Sequence, residues 1–526
     1  MEIFDIILSM MKKIRNLILT VLLVAMQLPA MCLVQKYQTN DLRSLFLNNE
    51  AIIYGINIRS FNSTDLNGDD LIDPEKGEKT GTFINAIERL DELKGYGINT
   101  VHVLPITPVG KVKSIGTAGS LYAMTDLTKI NPQLNDPQSN LSILEQAKLF
   151  VDECHKRNIR VIIDLPSCGS YEWYLKRPDL FILDKKQEPV IPADWTDVRL
   201  LKTQNPDNTL NEEVLDLHKK FINLVLTIGA DGVRADVATI KPYEFWVEII
   251  KYARERDPEF LFLAEASDSW TTPPSKYGAF TDYKKLLEAG FDGYYGSYFN
   301  FKKWKKPQEL NAQVILNQGL SKAYGEKKSV IGSFATHDEQ SPILSGGEKL
   351  TKMMIWLNAT LPLNPYYIDG FVTGDNYLYK YANKKAIVTY TDDDYYYVHR
   401  GKLDIFNYSR KPSGGNKDLE TIFIRSMELR RYSSDAILKG SFKLLKANND
   451  NIFAYIRQYE TTGVIVIMNK DFKNKYIGTI NVPKISPKNT CLPICLENAP
   501  EIDYGKIHVE LNPGEVIVLA ISNMKK

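Results

Sequence analysis

From residue 51 onward, short runs of apolar residues alternate with longer stretches in which apolar positions recur every three or four residues. Runs of four to eight read as buried strands, and the three-to-four spacing reads as amphipathic helix. Strands are predicted at 51–58, 100–104 and 160–164, with helices at 82–96 and 141–156 between them. The clearest helix places Leu210, Val214, Leu217, Phe221, Leu224, Val225 and Ile228 on one stripe and stops at Gly229. Further strands are predicted at 229–236, 259–265, 291–295, 330–336 and 355–362.

Eight strands alternating with helices specify the α/β class and a (β/α)8 TIM barrel. Between the third and fourth strands, residues 167–208 are rich in Trp, Tyr, Asp and Pro and are too many for a simple connection, so a short inserted subdomain is expected there. After about residue 440 the pattern changes to β-type runs at 451–459, 463–468, 477–482, 507–511 and 516–521 with turn residues between them. This predicts a C-terminal antiparallel β-sandwich. The expected organisation is a catalytic barrel over 45–440 and a β domain over 441–526.

Asp236, Glu265 and Asp338 each stand at or just beyond the end of one of the predicted strand runs. In a parallel barrel the C-terminal strand ends converge on one mouth, so the three acids are candidates for one cluster. Retaining cleavage of an acetal bond needs a carboxylate nucleophile and an acid/base carboxyl about 5 to 5.5 Å apart, with further negative charge facing the oxocarbenium-like transition state. A lone Asp after a strand is more often a helix N-cap, but three acids at three strand ends argue for chemistry.

Composition adds limits. The 65 lysines and arginines against 64 acidic residues give a charge of +1, which offers no attraction for nucleic acid. A monomer is expected. At the N-terminus Lys12, Lys13 and Arg15 precede an apolar run over 17–26, then Gln27, Pro29, Ala30 and Cys32. That order is a signal peptide over 1–32 rather than a membrane span, which needs about 20 apolar residues. Export to a periplasmic or extracellular space is therefore expected, without a stable span in the mature chain. Lipid anchoring at Cys32 is the less favoured alternative, because Met31 before it is bulky. Five cysteines are few for an exported chain of this size, so a core rather than a disulfide framework must supply stability. Cys491 and Cys495 form the one close pair, as a disulfide or as two thiols.

Gly232-Val233-Arg234-Ala235-Asp236, Ala264-Glu265 and His337-Asp338 resemble, in order and spacing, three motifs of the α-amylase family. The resemblance extends over roughly 50–525. It implies that Asp236 is the nucleophile, Glu265 the general acid/base and Asp338 the transition-state stabiliser. It further implies that Arg234 keeps the nucleophile ionised and that His337 donates to a sugar hydroxyl. Gly119-Ser120-Leu121-Tyr122 resembles the loop whose tyrosine stacks on the sugar at the cleavage point, making Tyr122 a substrate-binding candidate. Asp164 occupies the family's third-strand acidic position and is carried as a substrate-binding candidate too.

The chain departs from the family pattern at Cys168 and Gly169, where Asn and His are usual, at Thr239-Ile240, where Lys-His is usual, and at Ala123, where Asp is frequent. The sequence around 65–73 presents oxygen ligands at alternate positions, which suits a hard cation, but lacks the Gly and Glu of an EF-hand. It is similar to a calcium loop in the oligosaccharide-cleaving branch of the family. The similarity implies a structural Ca2+ held by Asp65, Asn67, Asp69 and Asp73, with the carbonyl of Leu71. The function expected is an exported glycoside hydrolase acting on α-glucans or malto-oligosaccharides by double displacement. The alternatives are an α-glucan transglycosylase and a non-catalytic glycan-binding relative.

Overall fold

The structure is a computed structural model that describes residues 39–526, apart from 65, 67–73, 115–118, 194, 340, 376–414, 483, 487–489, 496–499 and 525–526. The N-terminal segment with Cys32 and the ligand candidates Asp65, Asn67, Asp69, Leu71 and Asp73 lie outside the described residues, as do the side chains of Cys491 and Cys495.

Eight parallel strands close into a barrel: β1 (Ile53–Ile56), β2 (Thr100–Val103), β3 (Arg160–Leu165), β4 (Gly232–Ala235), β5 (Leu261–Ser267), β6 (Gly293–Tyr295), β7 (Ser329–Gly332) and β8 (Asn364–Ile368). Neighbours follow chain order around the ring, and β8 closes on β1 through Ile53 beside Tyr366. Every position of these strands is buried. That is why they read as near-continuous apolar runs, since helices cover one face and barrel filling the other.

Local signals set the helix bounds. In the helix Glu212–Thr227 the Asn211 side chain accepts from the N–H groups of Glu213 and Val214, and Val214, Phe221 and Val225 of the predicted stripe are buried. Gly229 then turns the chain at φ +85°, a conformation that costs glycine little. The helix Ile143–Lys156 opens on a capping box between Ser142 and Glu145.

Two predicted elements differ. The predicted strand at 355–362 is instead the end of the helix Pro342–Thr360, and the eighth strand is Asn364–Ile368. Met353 through Thr360 are all buried, so this end of the helix has no exposed face and its periodicity carries no signal that separates it from a strand. The single helix predicted at 82–96 is split into Phe83–Ala86, a 3-10 turn Ile87–Arg89 and Leu90–Gly95.

Within 167–208, Cys168–Ser170 pairs antiparallel with Val198–Leu200. The C-terminal region holds β9 (Ser441–Leu444), β10 (Ile452–Tyr459), β11 (Thr462–Asn469), β12 (Tyr476–Asn481), β13 (Thr490–Cys495), β14 (Glu501–Asp503), β15 (Lys506–Leu511) and β16 (Val516–Ser522). They form a five-stranded sheet, β9-β10-β11-β16-β13, and a three-stranded sheet, β12-β15-β14. Alternation along the larger sheet serves two cores. Ile452, Ala454, Ile465 and Leu519 face the smaller sheet, whereas Phe453, Tyr455, Val466 and Val518 join the core of the barrel.

Candidate active site

β3 and β4 pair in register so that Asp164 lies beside Arg234, and both are fully buried. Arg234 Nη1 donates to Asp164 Oδ1 at 2.8 Å and to Oδ2 at 2.9 Å. The same nitrogen reaches Asp236 Oδ1 at 3.1 Å, and Nη2 is ion-paired with Glu265 Oε2 at 2.9 Å. Nε donates to the Tyr295 hydroxyl at 3.0 Å. One planar guanidinium thus joins carboxylates from three strands, a use of the Arg fork that Lys could not reproduce.

Burial alone would push the Asp164 carboxyl up, but Arg234 and a hydrogen bond with His102 outweigh it and hold the pKa down at about 2. Asp164 also accepts from the Tyr122 hydroxyl at 2.6 Å, and His102 Nε2 stands 3.3 Å away. Asp164 therefore acts from inside the barrel, on Arg234 and Tyr122, and presents no open surface. The guanidinium is pushed down by burial and more strongly up by Asp164 and Glu265, so its pKa is raised.

Asp236 and Glu265 are each 6% exposed, and the Asp338 side chain is 25% exposed, so these three reach the mouth while Arg234 and Asp164 stay beneath it. Asp236 Oδ2 accepts the Ser167 N–H at 3.1 Å, and Ser167 Oγ donates to the Asp236 carbonyl. Glu265 Oε2 accepts the Val237 N–H at 2.6 Å. Val237 holds that position with φ +33°, in the left-handed region that a β-branched side chain avoids. Strain of about 1 to 3 kcal/mol is stored directly after the candidate nucleophile.

His337 is fully buried; its Nε2 lies 2.9 Å from the Tyr122 hydroxyl and 3.6 Å from Asp338 Oδ2. The Tyr122 ring lies parallel to the His337 ring at 5.9 Å and is 7% exposed. The structure thus brings Tyr122, Asp164, Arg234, Asp236, Glu265, His337 and Asp338 into one network. Among the described residues, no group of three His, Cys, Asp or Glu is arranged to hold a metal ion, and no helix is long and apolar enough to cross a membrane.

Sequence reasoning missed His102, Tyr295, Ser167, Val237 and Lys241. His102 was the most detectable, as a polar residue in the middle of an otherwise apolar strand. Lys241 is 1% exposed, with Nζ donating to the Ser167 carbonyl at 2.9 Å, and burial pushes its pKa down to about 8. The positions that depart from the family pattern gather in space. Ala123, Cys168 and Ile240 belong to one apolar cluster beside the site, packed against Trp195, Val237 and Tyr277.

No known protein-family profile matches the chain. It is 25% identical over 295 residues to an α-1,4-glucan:maltose-1-phosphate maltosyltransferase of Arcanobacterium haemolyticum, covering 52% of this chain and 39% of that protein. The enzyme of the same name from Picrophilus torridus is 22% identical over 425 residues, covering 77% of this chain and 61% of the relative. The chain therefore matches less than two thirds of the length of these relatives, 39% of one and 61% of the other. Among solved structures, an α-amylase from Lactobacillus plantarum superposes with a TM-score of 0.65 at 18% identity, over 90% of this chain and 99% of the other. The resemblance to α-amylases holds in the fold, through the closed barrel and the C-terminal sheets.

Proposed function

We propose that this chain cleaves α-glucosidic bonds of α-glucans or malto-oligosaccharides by a retaining double displacement. The observation that carries the reading is the shared guanidinium: Asp236 and Glu265 bind the two terminal nitrogens of Arg234, which holds two mouth-facing carboxylates close together. Asp236 attacks the anomeric carbon and forms a glycosyl ester as the bond to the leaving oxygen breaks. Glu265 gives its proton to that oxygen. With Oε2 engaged by Arg234 and the Val237 N–H, the proton is carried on Oε1. Glu265 then takes a proton from the incoming hydroxyl, which attacks the ester and frees Asp236. Asp338 supplies negative charge to the oxocarbenium-like transition states.

The incoming hydroxyl is water in hydrolysis and a sugar hydroxyl in transfer. Transfer is the second reading, supported by the maltosyltransferase names of the relatives. Incubation with maltoheptaose separates the two: hydrolysis releases new reducing ends, whereas transfer yields longer and shorter chains without them. Asp236→Ala is expected to bind the oligosaccharide and leave it intact. Equal turnover by Asp236→Ala and the wild type would sink the assignment.

The same reading takes Asp65, Asn67, Asp69, Leu71 and Asp73 as the ligands of a structural calcium ion, since carboxylate and carbonyl oxygens are hard-cation donors. At Leu66, the one described residue of that stretch, the N–H donates to Glu78 Oε1 at 2.8 Å, and Glu78 is 3% exposed. The ion would hold the loop and take no part in bond cleavage.

A further inference from the structure

A buried ammonium stands behind the candidate nucleophile. Asp236 is followed by Val237, the 3-10 turn Ala238–Ile240 and Lys241, and Pro242 then caps the helix Tyr243–Arg254. Three hydrogen bonds fix the backbone here: the Thr281 N–H donates to the Thr239 carbonyl at 2.8 Å, Thr281 Oγ1 to the Lys241 carbonyl at 2.7 Å and Trp246 Nε1 to the Ala238 carbonyl at 2.9 Å. From this fixed point the Lys241 side chain runs inward, and Nζ donates to the Ser167 carbonyl on the loop after β3 at 2.9 Å. Ser167 is itself bonded twice to Asp236, through its N–H to Oδ2 at 3.1 Å and through Oγ to the carbonyl. Arg234 thus holds Asp236 Oδ1, and Oδ2 is held by a residue that Lys241 holds in turn.

An ammonium taken out of water is destabilising unless opposite charge and hydrogen bonds offset the loss of hydration. The titratable groups that face Lys241 are Asp236 at the end of β4, Cys168 on the loop after β3 and His218 on the helix Glu212–Thr227. Burial pushes the Cys168 thiol up and, together with Lys241, pushes His218 down to about 3, so both stay neutral and Asp236 is the anion of the set. The Phe245 ring, 6.0 Å from Nζ, adds an apolar wall. A methionine would fill the same space without the hydration loss, so what the lysine alone contributes is a charge and a donor beneath the nucleophile.

We propose that Lys241 is a positioning residue for the double displacement: through Ser167 it keeps the Asp236 carboxylate aimed at the anomeric carbon, and its charge joins that of Arg234 around the anion. Lys241 acts through Ser167 and forms no bond with the sugar. The assignment rests on the reading of Asp236 as nucleophile. Attack by Asp236 follows binding, so a misaimed carboxylate slows the formation of the glycosyl ester while the oligosaccharide is still bound.

Steady-state kinetics of Lys241→Met and Lys241→Arg on maltoheptaose, beside the wild type from pH 6 to pH 10, test it. At pH 6 the Met variant is expected to lose about ten- to a hundredfold in kcat with little change in KM. Burial pushes the Lys241 pKa down to about 8, with Cys168 and Asp236 acting the other way, so the wild-type charge is present below that value and lost above it. The ratio of wild-type to Met kcat should therefore shrink above pH 8, whereas the titration of Glu265 affects both proteins and cancels in the ratio. Lys241→Arg keeps its charge throughout, so it is expected to exceed Met at every pH and to hold its kcat above pH 8. Wild-type kcat in the Met variant, a loss confined to KM, a ratio that stays constant with pH, or an Arg variant no better than Met overturns the positioning role and leaves the cleavage reading standing. No turnover of any α-glucan by the wild type overturns both.

Discussion

Replacing Arg234 with Met removes the positive charge that balances Asp164, Asp236 and Glu265 at the base of the mouth. Asp164 is fully buried and held at about 2 against an ordinary value of 3.8. That difference corresponds to about 2 kcal/mol of folding stability at neutral pH. The variant also strands a carboxylate in a desolvated site, and breaking a buried pair from one side costs about 3 to 5 kcal/mol. Arg234→Met is therefore expected to lose about 3 to 5 kcal/mol at pH 7. Because the folded-state pKa of Asp164 is depressed, its contribution is complete above the unfolded value and is lost as pH falls toward 2. In the variant the largest influence opposing burial is gone, His102 opposes it only in part, and the carboxyl is protonated at higher pH. The stability gap should then be widest at pH 7 and narrow as the pH falls, first through the raised value of the variant and then from 3.8 toward 2. Urea unfolding followed by far-ultraviolet circular dichroism at pH 7, 5, 4 and 3 measures it, with Arg234→Lys expected to fall between, since it keeps the charge and loses the fork. A gap that stays constant or widens on acidification would refute the account.

Two smaller perturbations probe other parts of the molecule. Val237→Gly releases the φ +33° strain while losing a half-buried side chain, so it should cost less than about 1 kcal/mol of stability, against 2 or more for an unstrained buried valine; kcat should fall as the N–H that holds Glu265 gains freedom. A calorimetric scan with a chelator should lower the melting temperature and restore it on adding excess calcium, because a ligand bound only to the folded chain stabilises it; an unchanged melting temperature would count against the acidic loop as a calcium site.

Much of the barrel was legible because strands buried on both faces and helices with one apolar stripe leave different periods in the sequence. The reading failed where that difference vanishes. The end of the helix Pro342–Thr360, from Met353 on, is enclosed by the barrel, the helix Lys417–Tyr432 and the C-terminal sheet, and so carries no exposed face to mark its turns. At the site, the acids were legible because they interrupt apolar runs at strand ends. Arg234 was expected to serve Asp236, two residues away; its bidentate contact with Asp164 depends on the pairing of β3 with β4, which no local pattern encodes. Likewise the left-handed turn at Val237 contradicts its own residue type, and only contacts made across the barrel can hold it there.

The two-faced sheet of the C-terminal region has a consequence for the timing of synthesis. Phe453, Tyr455, Val466 and Val518 complete the packing of a barrel whose strands are all translated before them. At about 5 to 20 residues per second, the span from β8 to β16 takes on the order of ten seconds to emerge. Until β10 emerges within that interval, the flank carrying Thr360, whose hydroxyl bonds to that of Tyr455 at 2.6 Å, and Phe301, which meets Phe453 edge to face, has no cover. The nascent barrel thus exposes an apolar flank until β10 arrives, and slow codons or stalling between β8 and β10 should lower the yield of folded protein without altering any residue of the active site.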